Sequence, residues 1–321
     1  MKFRQINQQM RIGKSALLLY LFNISCFFIL NILAKIISSL NLKNNFSFAV
    51  FLVSVYLSVL STQLYAQNIM SYEQYQKIDH AEPYIYEIES NIAALLVFGS
   101  RHSFDPRDPQ MNTLVSVLNR FAPDLILTEA FPKKFDYSLN QQEAIRTSGE
   151  FGLTWKLANE QSIPVYSLEP ERETEIEYLK QQGWSDIQLM LYYTLRQVAQ
   201  SQSRRQLLDF SKLVPQYLNS LEQRYNLNGP TAIEAFEEAV EKLLPSVENW
   251  QKISLRYFYP GPQEPEYFTN RISTDSNKYR DRHHVIIINE AVQKWQKVFV
   301  VTGSAHAVMQ EFALRSILVE K

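Results

Sequence analysis

The sequence predicts an α/β protein: a mainly parallel central sheet flanked by helices, with a helical insertion, preceded by a hydrophobic N-terminal region. Three observations predict it. Four short Val/Ile/Leu-rich runs, residues 92–98, 124–128, 163–168 and 297–302, lack clean alternation, as strands buried on both faces do. Helical patterns at 111–121, 143–161 and 281–294 separate or precede them, and strand alternating with helix points to a parallel sheet covered on both sides. Residues 174–250 hold no strand-like run, but carry apolar residues at helical spacing.

In chain order, residues 1–66 come first and concern address. They carry six basic residues and no Asp or Glu. Residues 15–34 are an uncharged run of 20, long enough to cross a bilayer as a helix. A second apolar run, 46–60, follows Lys43 and precedes a polar stretch with Ala66 where a signal peptidase would cut. The expectation is membrane contact through residues 15–60. The domain would be exported (periplasmic or secreted) or anchored to the membrane on the outside. A two-helix hairpin with a cytoplasmic domain is the alternative, and positive charge before residue 15 favours an inside N-terminus. A misassigned start codon would also account for residues 1–40.

Residues 67–321 are read as the domain proper. Their 26 basic and 33 acidic residues give a net charge of −7, which argues against a nucleic-acid binder relying on phosphate neutralisation. Apolar content of 46%, with 19 Phe and 18 Tyr, excludes disorder for most of the chain. The only cysteine, Cys26, lies in the apolar N-terminal region, so a disulfide scaffold and a thiolate metal site are excluded. Within the insertion, Leu189, Leu191, Tyr192, Leu195 and Val198, then Phe236, Val240, Leu243 and Leu244, have helical spacing. Breaks are expected near Asn228-Gly229-Pro230 and Pro245. The insertion reads equally as a cap completing the core or as a mobile lid. Residues 260–265 read as a rigid surface loop.

The chemistry is expected where a short motif occurs twice. Val97-Phe98-Gly99-Ser100-Arg101-His102 ends the first strand, and Val301-Thr302-Gly303-Ser304-Ala305-His306 ends the last. In an open α/β sheet, ligands bind beyond the carboxyl ends of the strands. Gly lets the backbone turn sharply and approach a ligand, and free N–H groups at a helix start favour an anion. Glu129 stands at the exit of the second strand and Glu169 at that of the third, with Glu171 just beyond. With parallel strands, His102, Glu129, Glu169 and His306 all project from one end of the sheet. Two His and one or two carboxylates suffice for a divalent metal with an open position for water. The same set without metal makes a His general base oriented by a carboxylate. Arg280, in a segment read as heading the helix before the last strand, would neutralise a carboxylate or hold an anionic intermediate. Adjacent helical residues point about 100° apart, so His283 and His284 are read as partly exposed polar residues. His80 is read as surface.

These anchors resemble the TraB/GumN and Tiki superfamily, to which erythromycin esterases and ChaN haem-binding lipoproteins are related. Gly99 and His102 match its first motif, Glu129 its acidic residue, Arg280 its Arg, and Gly303 with His306 its second motif. Leu168-Glu169 resembles the Leu-Glu after the third strand of GumN-type members. The resemblance implies a metal-dependent peptidase facing the outside of the membrane, with manganese or cobalt implied; zinc is a further divalent candidate. Erythromycin esterases, by contrast, use a corresponding His on a lactone without metal. Ser100 stands where the esterase and ChaN pattern has Glu, which favours the TraB/Tiki side.

The functional expectation is therefore an extracytoplasmic hydrolase of a peptide or small-molecule ester, foremost a metal-assisted peptidase. Its metal ligands would be His102, Glu129, His306 and Glu169, with Glu129 alternatively a general base and Arg280 steadying the oxyanion or a substrate carboxylate. Metal-free ester or lactone hydrolysis, with His102 as base and Glu129 orienting it, is the alternative. A non-catalytic protein binding haem or a metal is the third reading.

Overall fold

The computed structural model describes residues 68–130, 135–203 and 209–319, which form an α/β fold. The expectations for residues 1–66 lie outside the described residues. Among the described residues no helix is long and apolar enough to cross a membrane.

A short helix α1 (Tyr72–Tyr75) leads into β1 (Tyr84–Glu89) and β2 (Ala94–Ser100). Then come α2 (Pro109–Phe121), β3 (Leu125–Thr128), α3 (Gln141–Glu160) and β4 (Val165–Ser167). Four helices make the insertion: α4 (Arg172–Gln181), α5 (Asp186–Ser203), α6 (Phe210–Tyr225) and α7 (Ile233–Leu243). Two 3-10 turns lead to the long α8 (Phe268–Val292), followed by β5 (Lys297–Gly303) and α9 (Ser304–Val319).

The strands pair in the order β1-β2-β5-β3-β4. β2, β5, β3 and β4 are mutually parallel, and β1 joins the edge antiparallel to β2. Alternate residues of each central strand serve opposite faces. Leu95, Val97, Leu125, Leu127, Val298 and Val300 pack under α8 and α9. Leu96, Phe98, Ile126, Phe299 and Val301 pack under α2 and α3. Both faces are covered, which is why these strands read as unbroken apolar runs.

β1 is absent from the sequence expectation. Its Tyr-Ile-Tyr-Glu-Ile-Glu buries Tyr86 and Ile88 while its remaining residues are more open, the pattern of a half-solvated edge strand rather than a doubly buried one. The insertion builds a separate core around residues such as Tyr192, Leu218, Leu221, Phe236 and Trp250, joined by Ile272 of α8. One end of α8 therefore packs in the insertion and the other on the sheet. The expected start of this helix, at Asp281, is corrected: it begins at Phe268, so Arg280 and Asp281 lie inside it.

Candidate active site at the carboxyl edge of the sheet

Strand register fixes the site first. Ser100 pairs with Gly303, and Thr128 pairs with both Val301 and Ser167, so four parallel strands end nearly level. The residues that follow, His102, Glu129, Glu169 and His306, leave along that one edge.

Glu129 is the hub. Its Oε2 accepts hydrogen bonds from the Gly303 N–H (2.7 Å) and the Thr302 hydroxyl (2.9 Å), and its Oε1 accepts from Arg280 Nη2 (2.7 Å). Burial alone would raise its pKa, but the positive charges of His306, Arg280 and His102 outweigh it and hold the carboxyl well below its ordinary range. Glu169 receives Arg280 in a two-pronged pair, Nε to Oε2 at 2.8 Å and Nη2 to Oε1 at 2.6 Å. Against burial, Arg280 and His284 lower Glu169 to about 2.

Arg280 also donates from Nη1 to Asn277 Oδ1 (2.8 Å). Four of its five N–H groups are thus committed to protein acceptors. The expected oxyanion-steadying role has one N–H left to act with; the geometry makes Arg280 the organiser of two carboxylates.

Each motif histidine is gripped by a carboxylate that the sequence reading missed. His306 Nδ1 lies 2.6 Å from Asp281 Oδ1, and its Nε2 lies 3.7 Å from Glu129 Oε1. Burial would lower its pKa, yet the charges of Asp281 and Glu129 raise it. His102 Nδ1 lies 2.6 Å from Glu150 Oε1, and the Ser100 hydroxyl is 2.9 Å from the same oxygen. Burial again opposes, but Glu150 and Glu129 push His102 up to about 9. Unlike His306, the His102 side chain keeps 55% of its surface exposed. Its Nε2 faces Gly303, where an added Cβ would sit 3.2 Å from that nitrogen and 3.4 Å from Glu129 Oε2.

Glu150 reaches this place because α3 is kinked. Ser148 (φ −138°) and Gly149 (φ +62°) leave helical geometry, and a Cβ on Gly149 would lie 2.9 Å from the Ser103 carbonyl oxygen. A glycine inside an otherwise helical pattern was the available signal.

Asp281, His284 and His306 form a buried group that could hold a metal ion, with one donor atom from each lying within 4.8 Å of the others. Asp281 and His284 sit three apart on one face of α8. Asp281 Oδ2 and His284 Nε2 are buried with no hydrogen-bond partner, His284 Nε2 being 3.4 Å from Glu169 Oε1 without hydrogen-bond geometry. Two imidazoles and a carboxylate suit manganese, cobalt or zinc. The sequence-predicted ligand set shares only His306 with this group, and its carboxylates Glu129 and Glu169 are both engaged by Arg280. His284 was expected to be partly exposed and is instead completely buried, with Gln310 Nε2 bridging it (3.2 Å) to Asp281 (2.6 Å). His283 is half-buried, and His80 pairs with the Tyr75 hydroxyl at 2.9 Å.

No family model, curated protein or solved structure matches the chain.

Proposed function

We propose that the protein is a hydrolase of carbonyl compounds, a peptide or small-molecule ester, related to the TraB/GumN/Tiki group and acting outside the cytoplasmic membrane. The observation that carries this reading is His102, anchored through Nδ1 to buried Glu150 while its Nε2 stays open beside Glu129 at the strand ends. That is how a proton-transfer group is oriented for work on a bound molecule. The order of the paired Gly-x-x-His motifs, Glu129 and Arg280 supports the family.

With a pKa raised against burial to about 9 by the Glu150 hydrogen bond and the Glu129 charge, His102 rests as imidazolium at neutral pH. Water adds to the carbonyl carbon, and as the tetrahedral adduct collapses the Nε2 proton goes to the leaving amine or alkoxide while the carbon–heteroatom bond breaks. The neutral ring then takes the proton released by the attacking water, which restores the starting state. Glu150 keeps the ring in place throughout, and Arg280 holds Glu129 and Glu169 ionised. A divalent ion, where bound, would be held by Asp281, His284 and His306, and would supply Lewis-acid polarisation of a carbonyl or water.

Metal-free ester or lactone hydrolysis is the second reading, and the completeness of the Glu150–His102 pair favours it. Its orienting carboxylate would then be Glu150, not Glu129. The test is a screen of peptides and esters with wild type, His102→Ala and Glu150→Gln, each with and without EDTA. Full activity of His102→Ala on a cleaved substrate would sink the proposal. Loss on chelation separates the two chemistries.

A further inference from the structure

The pairing of β2 with β5 ends at Ser100 and Gly303, so the backbone of Arg101 lies beyond the ladder, in a segment with neither helix nor strand. Buried backbone groups there need other partners. One side chain serves both. Gln110, in the first turn of α2 and buried, accepts the Arg101 N–H at Oε1 (3.0 Å) and donates from Nε2 to the Arg101 carbonyl oxygen. Its Nε2 also donates to Asp108 Oδ2 (3.2 Å). Asp108 is itself fixed, because it caps α2 through the Gln110 N–H (3.1 Å) and pairs with the Arg101 guanidinium (2.9 Å). The Gln110 carboxamide is thus fully engaged by residues 101 and 108.

His102 is held on its other side as well. The Ser103 N–H donates to Glu150 Oε2 at 3.3 Å, while Glu150 Oε1 takes the ring at Nδ1. The peptide bond before His102 is therefore held by Gln110, and the one after it by Glu150.

We infer that Gln110 is a positioning residue for His102. It fixes the peptide from which the imidazole springs, so that Nδ1 meets Glu150 and Nε2 stays at the strand ends beside Gly303. The inference rests on the hydrolase reading above for the use made of His102. A carboxamide suits the task because it accepts from the N–H and donates to the C=O of one residue; a methionine side chain of similar length offers no donor. The Arg101 side chain, 59% exposed, is no part of this backbone clamp.

The test compares the full-length wild type with Gln110→Met, Gln110→Ala and Arg101→Ala. In Gln110→Ala, water can enter and take the two Arg101 groups, which keeps them hydrogen-bonded while removing the restraint. The first readout is the downfield NMR resonance of the His102 Nδ1–H proton bound to Glu150. It should persist in Arg101→Ala and be lost in both Gln110 variants. The second is kinetics on a substrate from the peptide and ester screen. There kcat should fall about tenfold or more in the Gln110 variants with KM within about twofold, the loss expected of a reacting group displaced by a fraction of an ångström. An unchanged Nδ1–H resonance in both Gln110 variants, or its loss in Arg101→Ala too, would overturn the assignment. Loss confined to the Gln110 variants, with no substrate cleaved by wild type, would leave the positioning role standing and remove the hydrolase reading. Cleavage by wild type with the resonance unmoved in both Gln110 variants would do the reverse.

Discussion

Replacing each motif glycine by alanine should split the two Gly-x-x-His segments into a structural one and a chemical one. At Gly99 the new Cβ would lie 2.6 Å from Ala307 Cβ, 3.0 Å from the Tyr84 carbonyl oxygen and 3.1 Å from Ser304 Cα. Carbon atoms pack best about 3.5–4.0 Å apart, so α9 would have to lift from β2 by about 1 Å. Overpacking of this kind costs about 1–3 kcal/mol, and with backbone on two sides the upper end is expected. At Gly303 the nearest atom is His102 Nε2 at 3.2 Å, on a half-exposed ring that can swing by a few tenths of an ångström. The entropy gained from a less flexible unfolded chain, about 0.4–1 kcal/mol, offsets that strain. Urea unfolding should therefore show a midpoint lowered by about 1 M for Gly99→Ala, taking a slope of about 3 kcal/mol/M, and little change for Gly303→Ala. The His102 ring resonance, followed by NMR, should shift in Gly303→Ala. Equal loss of stability in the two variants, or loss at Gly303 alone, would refute this division of roles.

Glu150→Gln should bring the His102 pKa down from about 9 toward its ordinary value, as read from the ring resonance against pH. Because the folded-state value is raised, the His102 pairing stabilises fully below about pH 6.5 and is lost as pH rises through about 9. Melting temperature across that window should fall less steeply in the variant than in wild type. Arg280→Met should cost about 3–5 kcal/mol in urea unfolding, since it strands Glu129 and Glu169 as unpaired carboxylates; a change under 1 kcal/mol would contradict the organising role. After loading with manganese, cobalt or zinc, wild type should hold about one equivalent by mass spectrometry, and Asp281→Ala and His284→Ala should hold none. In that series His102→Ala keeps its metal if the buried group is the site, and loses it if the sequence-predicted set is.

The parallel strands were legible because burial on both faces leaves its mark residue by residue: Leu95 and Leu96 point to opposite faces, and both must be apolar. The same rule hid β1, whose alternation reflects one solvated face. The first half of α8 was illegible for a different reason. Thr269, Asn270, Ser273 and Ser276 are buried there through side-chain hydrogen bonds, so its inner face looks like a loop in sequence. At the site, His102, Glu129, Glu169 and His306 could be placed because a strand exit needs only the strand to be found. Glu150, Asp281, His284 and Gln310 come from helix interiors. A buried polar residue on a helix carries no local sign of the partner that makes its burial tolerable, and His284 was accordingly misplaced at the surface.

The charge of the whole cluster ties these residues together. Glu129 and Glu169 share the one guanidinium of Arg280, while Glu150 and Asp281 face His102 and His306, so carboxylates outnumber the guanidinium four to one. A largely buried site cannot hold that excess without counter-charge. Protons on His102 and His306 supply part of it, and both are displaced upward, against burial, by their neighbouring carboxylates. A divalent cation would supply the same charge, and protons and metal must then compete for one deficit. Metal loading should accordingly strengthen as pH rises and His306, whose pKa is raised, releases its proton. On the hydrolase reading proposed above, the protonated cluster is the state in which His102 can serve as an acid for the leaving group. On that proposed reading both chemistries would draw on one electrostatic arrangement and differ in the occupant that supplies the missing charge.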